Sequence, residues 1–444
     1  MKLRSILKVY AILLAAFALL AGCGKTDPEP SPTEYAVIIY GTTGGEMDYL
    51  MEDLWKDVQT YLPDNKVRVF CCYKYGNGGG NFTGTFADRG ELLTFELDKN
   101  TDFGKLRNYG LRDSTFALFD SENLAQVLAW AQVQANPSKG CVLAFYGHGG
   151  GFDASEDFPK GLYGLVSPAT RGVIYDEWFK DKVGMNMYEI TRAIERSGVG
   201  RLAGLMFHNC LMGSIESLTQ VAPYTDYLIA TPFLLTSENA PLIPYLVKNL
   251  SGRSFEEAAR ITIRESKDRL IDGLRHEDPD DFPGNVELLK SSEFAQVCKA
   301  TKSLASRLCE LYPTQREAID RATCKVYRFY CMSPYFDLLD YARIVAQETD
   351  DRQLKTIASE MEKAFSDAIL EQITIDFGTR PVLDSYSLSV VLVDHNAYNT
   401  TKTAGLFSYS QSYEYSAFHQ YTGWGTWLNT NLQTPTGNPC GQAL

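Results

Sequence analysis

The sequence predicts an α/β protein built on a largely parallel sheet, and three observations predict it. Short, continuous apolar runs recur along the first half, each ending at Gly or a polar residue, as strands buried on both faces do. Segments with apolar residues at helical spacing separate them. The 444 residues are 45% hydrophobic and 22% charged, with 26 Tyr and 23 Phe to fill a large core. That balance excludes a disordered, collagenous, coiled-coil or multi-span chain.

The elements follow in order. Tyr35–Tyr40 is an apolar run ending at Gly41, the first strand. Residues 47–62 set Met47, Leu50, Met51, Leu54, Trp55, Val58 and Leu62 on one helical face. Val67–Tyr73 is a second strand, and Asn77–Gly80 a Gly-rich turn. A helix is expected over 121–135, with Asp120 or Ser121 as its cap. Cys141–Tyr146 is the third strand, and 161–176 reads as a hairpin insertion. Asn186–Arg196 is a helix, Leu202–Phe207 a strand, Gly213–Val221 a helix and Tyr227–Ala230 a strand. Beyond about 240, helical patterns are expected over 254–272, 285–310 and 335–372, with loop signals at Asp278–Gly284. Strand-like alternation returns at Ser387–Val393 and around 405–409, and the pattern ends on Tyr421–Leu428. The division is an α/β core over 35–245 and a mixed helical and strand region over 246–444.

The start of the chain is an address. Lys2, Arg4 and Lys8 precede an apolar run from Val9 to Ala21, which ends in Leu20-Ala21-Gly22-Cys23, the pattern of a lipobox. The run is shorter than the ~20 apolar residues a membrane helix needs. Residues 1–22 therefore read as a lipoprotein signal, and 23–34, rich in Pro, as a tether carrying lipid on Cys23. The expected location is the cell envelope, anchored to a bacterial membrane (the outer one expected), on its periplasmic or surface side.

With 42 Lys+Arg against 55 Asp+Glu the net charge is −13, which argues against nucleic acid as a partner. None of the ten cysteines forms a C-x-x-C pair, so no zinc knuckle or redox motif is expected and no metal ligand is assigned. Outside the cytoplasm disulfides are permitted, but spacing does not assign them. Setting Cys23 aside leaves nine, so at least one thiol is unpaired within the chain. Cys71, Cys72 and Cys141 lie in apolar runs as buried thiols. Gly41–Gly45 fits neither a dinucleotide fingerprint nor a P-loop, so no nucleotide cofactor is expected.

Two strand ends carry chemistry. Phe145-Tyr146-Gly147-His148-Gly149-Gly150-Gly151 delivers an imidazole into a Gly-rich loop. Phe207-His208-Asn209-Cys210-Leu211-Met212-Gly213-Ser214-Ile215-Glu216 delivers a thiol. Open α/β sheets hold ligands at the carboxyl ends of their strands, so both groups can face one crevice.

At these residues the sequence resembles the clostripain family of cysteine peptidases, in the caspase-like class with legumain, gingipains and separase. Tyr146-Gly147-His148-Gly149 and Cys210-Leu211-Met212-Gly213 with Glu216 carry the likeness. Met187–Ile194, Tyr415-Ser416-Ala417-Phe418 and Thr422-Gly423-Trp424 extend it. The resemblance implies a caspase-like three-layer α/β/α sandwich. It also implies a Cys–His dyad, with Cys210 as nucleophile, His148 as general acid, and the N–H groups of Gly149 and Cys210 as oxyanion donors. A helix start after Cys210 and a nearby imidazolium would favour the thiolate. Calcium is allowed by the resemblance alone.

One departure matters. Where the family has Asp-Ala before the Cys, this chain has His208-Asn209. That Asp lines the pocket for a basic substrate residue, so basic specificity is in question unless Glu238 supplies the charge. Family-type activation would cut after a basic residue between the two strands. Lys160 and Arg171 are the candidates, and processing by another protease or none is expected. The function expected is a lipid-anchored cysteine endopeptidase acting on protein or peptide. The alternatives are a non-catalytic peptide- or ligand-binding lipoprotein on the same fold, and thiol acyl transfer or esterase chemistry.

Overall fold

The computed structural model describes residues 32–41, 45–74, 92–106, 116–152, 185–235, 241–277, 283–329, 335–376, 383, 386–392, 413 and 416–432. Its centre is a mixed eight-stranded sheet. The strands are β1 (Tyr35–Gly41), β2 (Val67–Lys74), β3 (Leu92–Leu97), β4 (Cys141–Tyr146), β5 (Gly204–His208), β6 (Tyr227–Ala230), β7 (Gly284–Lys290), β8 (Tyr335–Asp337), β9 (Ile369–Ile375) and β10 (Ser389–Val391). The large sheet runs β3-β2-β1-β4-β5-β6-β7-β9, and β10 pairs with β8 apart from it. β2, β1, β4, β5 and β6 are parallel neighbours; β3, β7 and β9 join antiparallel to theirs.

The continuous apolar runs have a plain cause. Every residue of β1 and β4 is buried, because helices cover both faces of the sheet. Side chains alternate between the faces. Val37, Ile39, Val142, Ala144 and Met206 pack with Trp55, Leu246 and Ala259 from the helices Gly45–Tyr61, Leu242–Leu250 and Phe255–Glu277. Ile38, Tyr40, Leu143, Phe145 and Phe207 turn the other way, onto Leu128, Ile194, Leu218 and Leu304. These belong to the helices Ser121–Ala135, Met187–Ser197, Ile215–Val221 and Phe294–Thr323. The result is the three-layer sandwich. Asp120 caps the helix at 121, accepting from the N–H of Glu122.

Several expectations are corrected. Residues 285–310 and 335–372 are not helical throughout. β7 precedes the helix Phe294–Thr323, and β8 and β9 bracket the helices Leu338–Thr349 and Arg352–Ala368. β7 escapes a reading by alternation because Asn285 and Glu287 are buried polar residues in positions an apolar pattern would fill. β9 escapes because it is an edge strand and mostly half-buried. β3 had no reading at all. The insertion at 161–176 and the alternation near 405–409 lie outside the described residues. Thr33–Leu444 form one unit, so the region after 245 completes the sheet with β7 and β9.

Burial leaves five described carboxyls above their ordinary range, Asp340 among them. Glu52 and Glu216 are pushed to about 7, Glu287 to about 8 and Asp337 to about 6. Glu287 Oε1 accepts from Asn285 and Gln372 at 2.7 and 2.8 Å. In the unfolded chain such groups titrate near ~4, so the folded state holds the extra protons between there and the raised values. Their contribution is therefore full at low pH and is lost as pH rises toward about 8. Glu34, bonded to Lys139, and Asp351, bonded to Arg307, are held low and act oppositely, only in more acid solution. The thermal midpoint is predicted to be higher at about pH 5.5 than at about pH 8.5. Glu287→Gln, which keeps the acceptor and removes the charge, should narrow that difference in a calorimetric scan.

Candidate active site

β4 and β5 pair in parallel with Tyr146 opposite His208. Two residues beyond that pair stand His148 after β4 and Cys210 after β5. Neighbouring strands lie ~4.8 Å apart, so this register brings the backbone segments that carry His148 and Cys210 close together at the carboxyl edge of the sheet. His148 is exposed and Cys210 half-buried.

Gly149 makes the approach close. A Cβ there would fall 2.3 Å from the carbonyl oxygen of Cys210 and 2.8 Å from Cβ of Asn209. Only glycine fits, and the backbones of Gly149 and Cys210 come into close contact.

The Cys turn is held by the segment after β6. Leu211 N–H donates to the Phe233 carbonyl at 2.8 Å, and Gly213 N–H to the Thr231 carbonyl at 2.6 Å. A Cβ on Gly213 would meet Pro232 N at 2.5 Å, which explains a glycine at this place in the motif. Leu211 has φ 62°, a left-handed conformation that costs a side chain ~1–2 kcal/mol and sharpens the turn after the thiol. Cys210 Sγ lies against Leu235, whose N–H donates to it at 3.3 Å and whose carbonyl accepts at 3.5 Å.

The helix after the Cys begins at Ile215, capped by Ser214, later than the Gly213 start expected. Dipole effects fade beyond the first turn, so the Leu235 N–H is a backbone donor for a thiolate in a way the helix is not. Glu216, in that helix, is buried and fastens the C-terminal region. Its Oε1 accepts from Val391 N–H at 2.9 Å and the Tyr413 hydroxyl at 2.7 Å.

Cys71, Cys72, Cys141 and Cys298 are buried. Burial pushes Cys71 and Cys72 well up, Cys141 to about 12 and Cys298 to about 11. Cys324 is disulfide-bonded, with a partner outside the described residues. His208 is buried, its ring 5.5 Å from that of Tyr146. Asn209 is buried too, and its amide reaches the His148 loop. Cys23, Lys160, Arg171 and Glu238 lie outside the described residues. Among the described residues no three His, Cys, Asp or Glu side chains converge as metal ligands. Leu235 and Tyr335 were missed: Leu235 acts through its backbone, and Tyr335 comes from a distant strand.

A family model described as the clostripain family matches residues 94–429. The chain belongs to the clostripain family. With that membership comes its class, cysteine peptidase. The fold agrees with solved clostripain-type proteases. An inactive zymogen C11 protease from Parabacteroides distasonis is 13% identical, with a TM-score of 0.58, 88% of this chain covered and 99% of that one. A secreted C11 cysteine protease from Bacteroides thetaiotaomicron, "iotapain", is 16% identical, with a TM-score of 0.57 and the same coverage. A secreted C11 cysteine protease from the same organism, with an irreversible peptide inhibitor, is 13% identical at a TM-score of 0.57, again with the same coverage. At these identities the likeness carries the fold, and it supports the caspase-like sandwich. No curated protein matches. No described helix is long and apolar enough to cross a membrane.

The Gly149 contact is testable in this clostripain relative. Gly149→Ala should lower peptide cleavage by about a hundredfold or more, since displacements near 1 Å cost that much. Circular dichroism should show the sheet and helices retained.

Proposed function

We propose that the protein is a lipid-anchored endopeptidase that cuts peptide bonds with Cys210 as nucleophile and His148 as general acid. The observation that carries this reading is the β4–β5 register, with Tyr146 opposite His208 and both reactive groups two residues beyond it. The Cys210 thiolate attacks the scissile carbonyl carbon, and the N–H groups of Gly149 and Cys210 receive the oxyanion. The C–N bond breaks as the His148 imidazolium gives its proton to the departing amine, leaving an acyl thioester. Water then attacks the thioester, neutral His148 takes a proton from it, and the C–S bond breaks. The free acid leaves, and the thiolate–imidazolium pair is restored.

Specificity rests on the pocket that the family lines with Asp. In place of that carboxylate this chain has His208, which near neutral pH cannot anchor a cation. A lost carboxylate partner costs ~2–5 kcal/mol, roughly a thirtyfold to several-thousandfold drop for Arg. Glu238 is the acidic residue of the neighbouring segment that can restore the charge. Cleavage after Lys160 or Arg171 by the enzyme itself is correspondingly disfavoured. The membrane link is lipid on Cys23, which sets the peptidase at the envelope.

A fluorogenic peptide library decides the central claim. Cys210→Ala and His148→Ala should each abolish turnover, whereas His208→Ala should change which peptides are cut. Iodoacetamide should label Cys210 well before Cys71, Cys72 or Cys141. Equal cleavage by wild type and Cys210→Ala would reject the dyad; no cleavage by wild type would favour the binding lipoprotein. Preference for Arg is expected to be weak, and any that exists should collapse in Glu238→Gln. Arg preference surviving that change would refute the charge argument. In detergent phase separation the lipidated chain should enter the detergent phase and Cys23→Ser the aqueous one.

A further inference from the structure

His148 stands in a run of glycines, the backbone least able to hold an imidazole in one place. The direction of its Cα–Cβ bond is set by the two peptide planes that flank its Cα. The carbonyl of the first belongs to Gly147 and that of the second to His148 itself. Asn209 Nδ2 donates to both, at 3.0 Å to Gly147 O and 2.9 Å to His148 O. Each amide proton thus fixes one of the two planes.

The side chain has no other orientation available. Both neighbours are acceptors, so only the amide nitrogen can face them. Asn209 is 1% exposed, and its Oδ1 has no donor among the described residues to pull it round. At the far end of the loop the hydroxyl of buried Tyr335 lies 2.9 Å from Gly150 O and 2.5 Å from Phe152 O. The loop is therefore gripped on both sides of the histidine, from β5 and from β8.

We infer that Asn209 is a positioning residue, fixing His148 relative to Cys210, and that Tyr335 secures the same loop from the other side. The inference rests on the Cys210–His148 reading and deepens it. The family resemblance has Ala at this position, so the device would be this chain's own. The polar end of Asn209 is turned to the catalytic loop and not to a substrate side chain.

The test uses the purified chain, with kcat and KM on a cleaved peptide, the pH profile of Cys210 alkylation, and hydrogen exchange over 147–152. Asn209→Ala should lower kcat roughly tenfold to a hundredfold with KM changed by less than about threefold. Exchange over 147–152 should quicken and the acid limb of the alkylation profile should shift, because the imidazolium no longer sits fixed beside the thiolate. Asn209→Asp sets an oxygen against two carbonyl oxygens and should be at least as slow. Either variant with wild-type kcat overturns the inference, as does a fall in kcat with exchange over 147–152 unchanged. If Asn209→Ala does not fold, Tyr335→Phe, which removes one hydroxyl, reads the same loop. Faster exchange there with a several-fold lower kcat supports the grip, and no change in both overturns it. Failure of the underlying dyad looks different, since wild type and Cys210→Ala would then cleave alike.

Discussion

The parallel pairing of β4 with β5, in the one register that sets Tyr146 opposite His208, is the constraint on which the rest of the site depends. Side chains alternate along a strand, so a slip of one residue would turn Tyr146 and His208 to the opposite face. That slip is resisted by the core on both sides. Phe145 stacks on Phe207 with centroids 5.6 Å apart on one face, while Tyr146 lies against His208 on the other. Hydrophobic packing thus fixes, to within one residue, where a histidine and a cysteine leave the sheet.

Beyond the strand ends, backbone contacts take over from side-chain packing. Gly149 rests on Cys210, and Gly213 on Thr231 and Pro232. The C-terminal region closes the arrangement from a third side. Ser389 N–H donates to Gly213 O at 2.9 Å, Glu216 accepts from Val391 and Tyr413, and Trp424 Nε1 donates to Val391 O at 3.0 Å. The region after 245 is accordingly part of the site's support as well as of the sheet. Removing a buried partner such as Tyr413 would leave a carboxyl of about pKa 7 with one donor fewer in a dry setting.

How much of this was legible in the sequence follows from burial. β1, β4 and β6 could be read because helices cover both faces and apolar residues run without interruption, and β2 because Arg68 alone breaks its run before Lys74. The two strand ends could be read because His148 and Cys210 follow such runs directly. β7 could not, because the buried Glu287 accepts from Asn285 and Gln372 inside the fold, a pairing that one strand's pattern does not reveal. The role of Leu235 is carried by its backbone, so its side chain signals nothing. Tyr335 lies 185 residues from its acceptor Gly150, and only the folded topology brings them together.

The departures at 208 and 209 are best understood together. The resembling family has a carboxylate aimed at substrate followed by a small residue, so polarity before the nucleophile serves recognition. In this chain the first position is an imidazole buried against Tyr146, and the second an amide spent on two backbone carbonyls. A carboxylate at 209 would repel those carbonyls, and an alanine would leave them without this donor. On the proposed reading, polarity beside Cys210 would serve the geometry of the dyad. If charge selection survives, it must come from a segment outside β5, as Glu238 would provide. Specificity and catalytic geometry, which share a strand in the family pattern, would then be carried by different parts of the chain and could change independently.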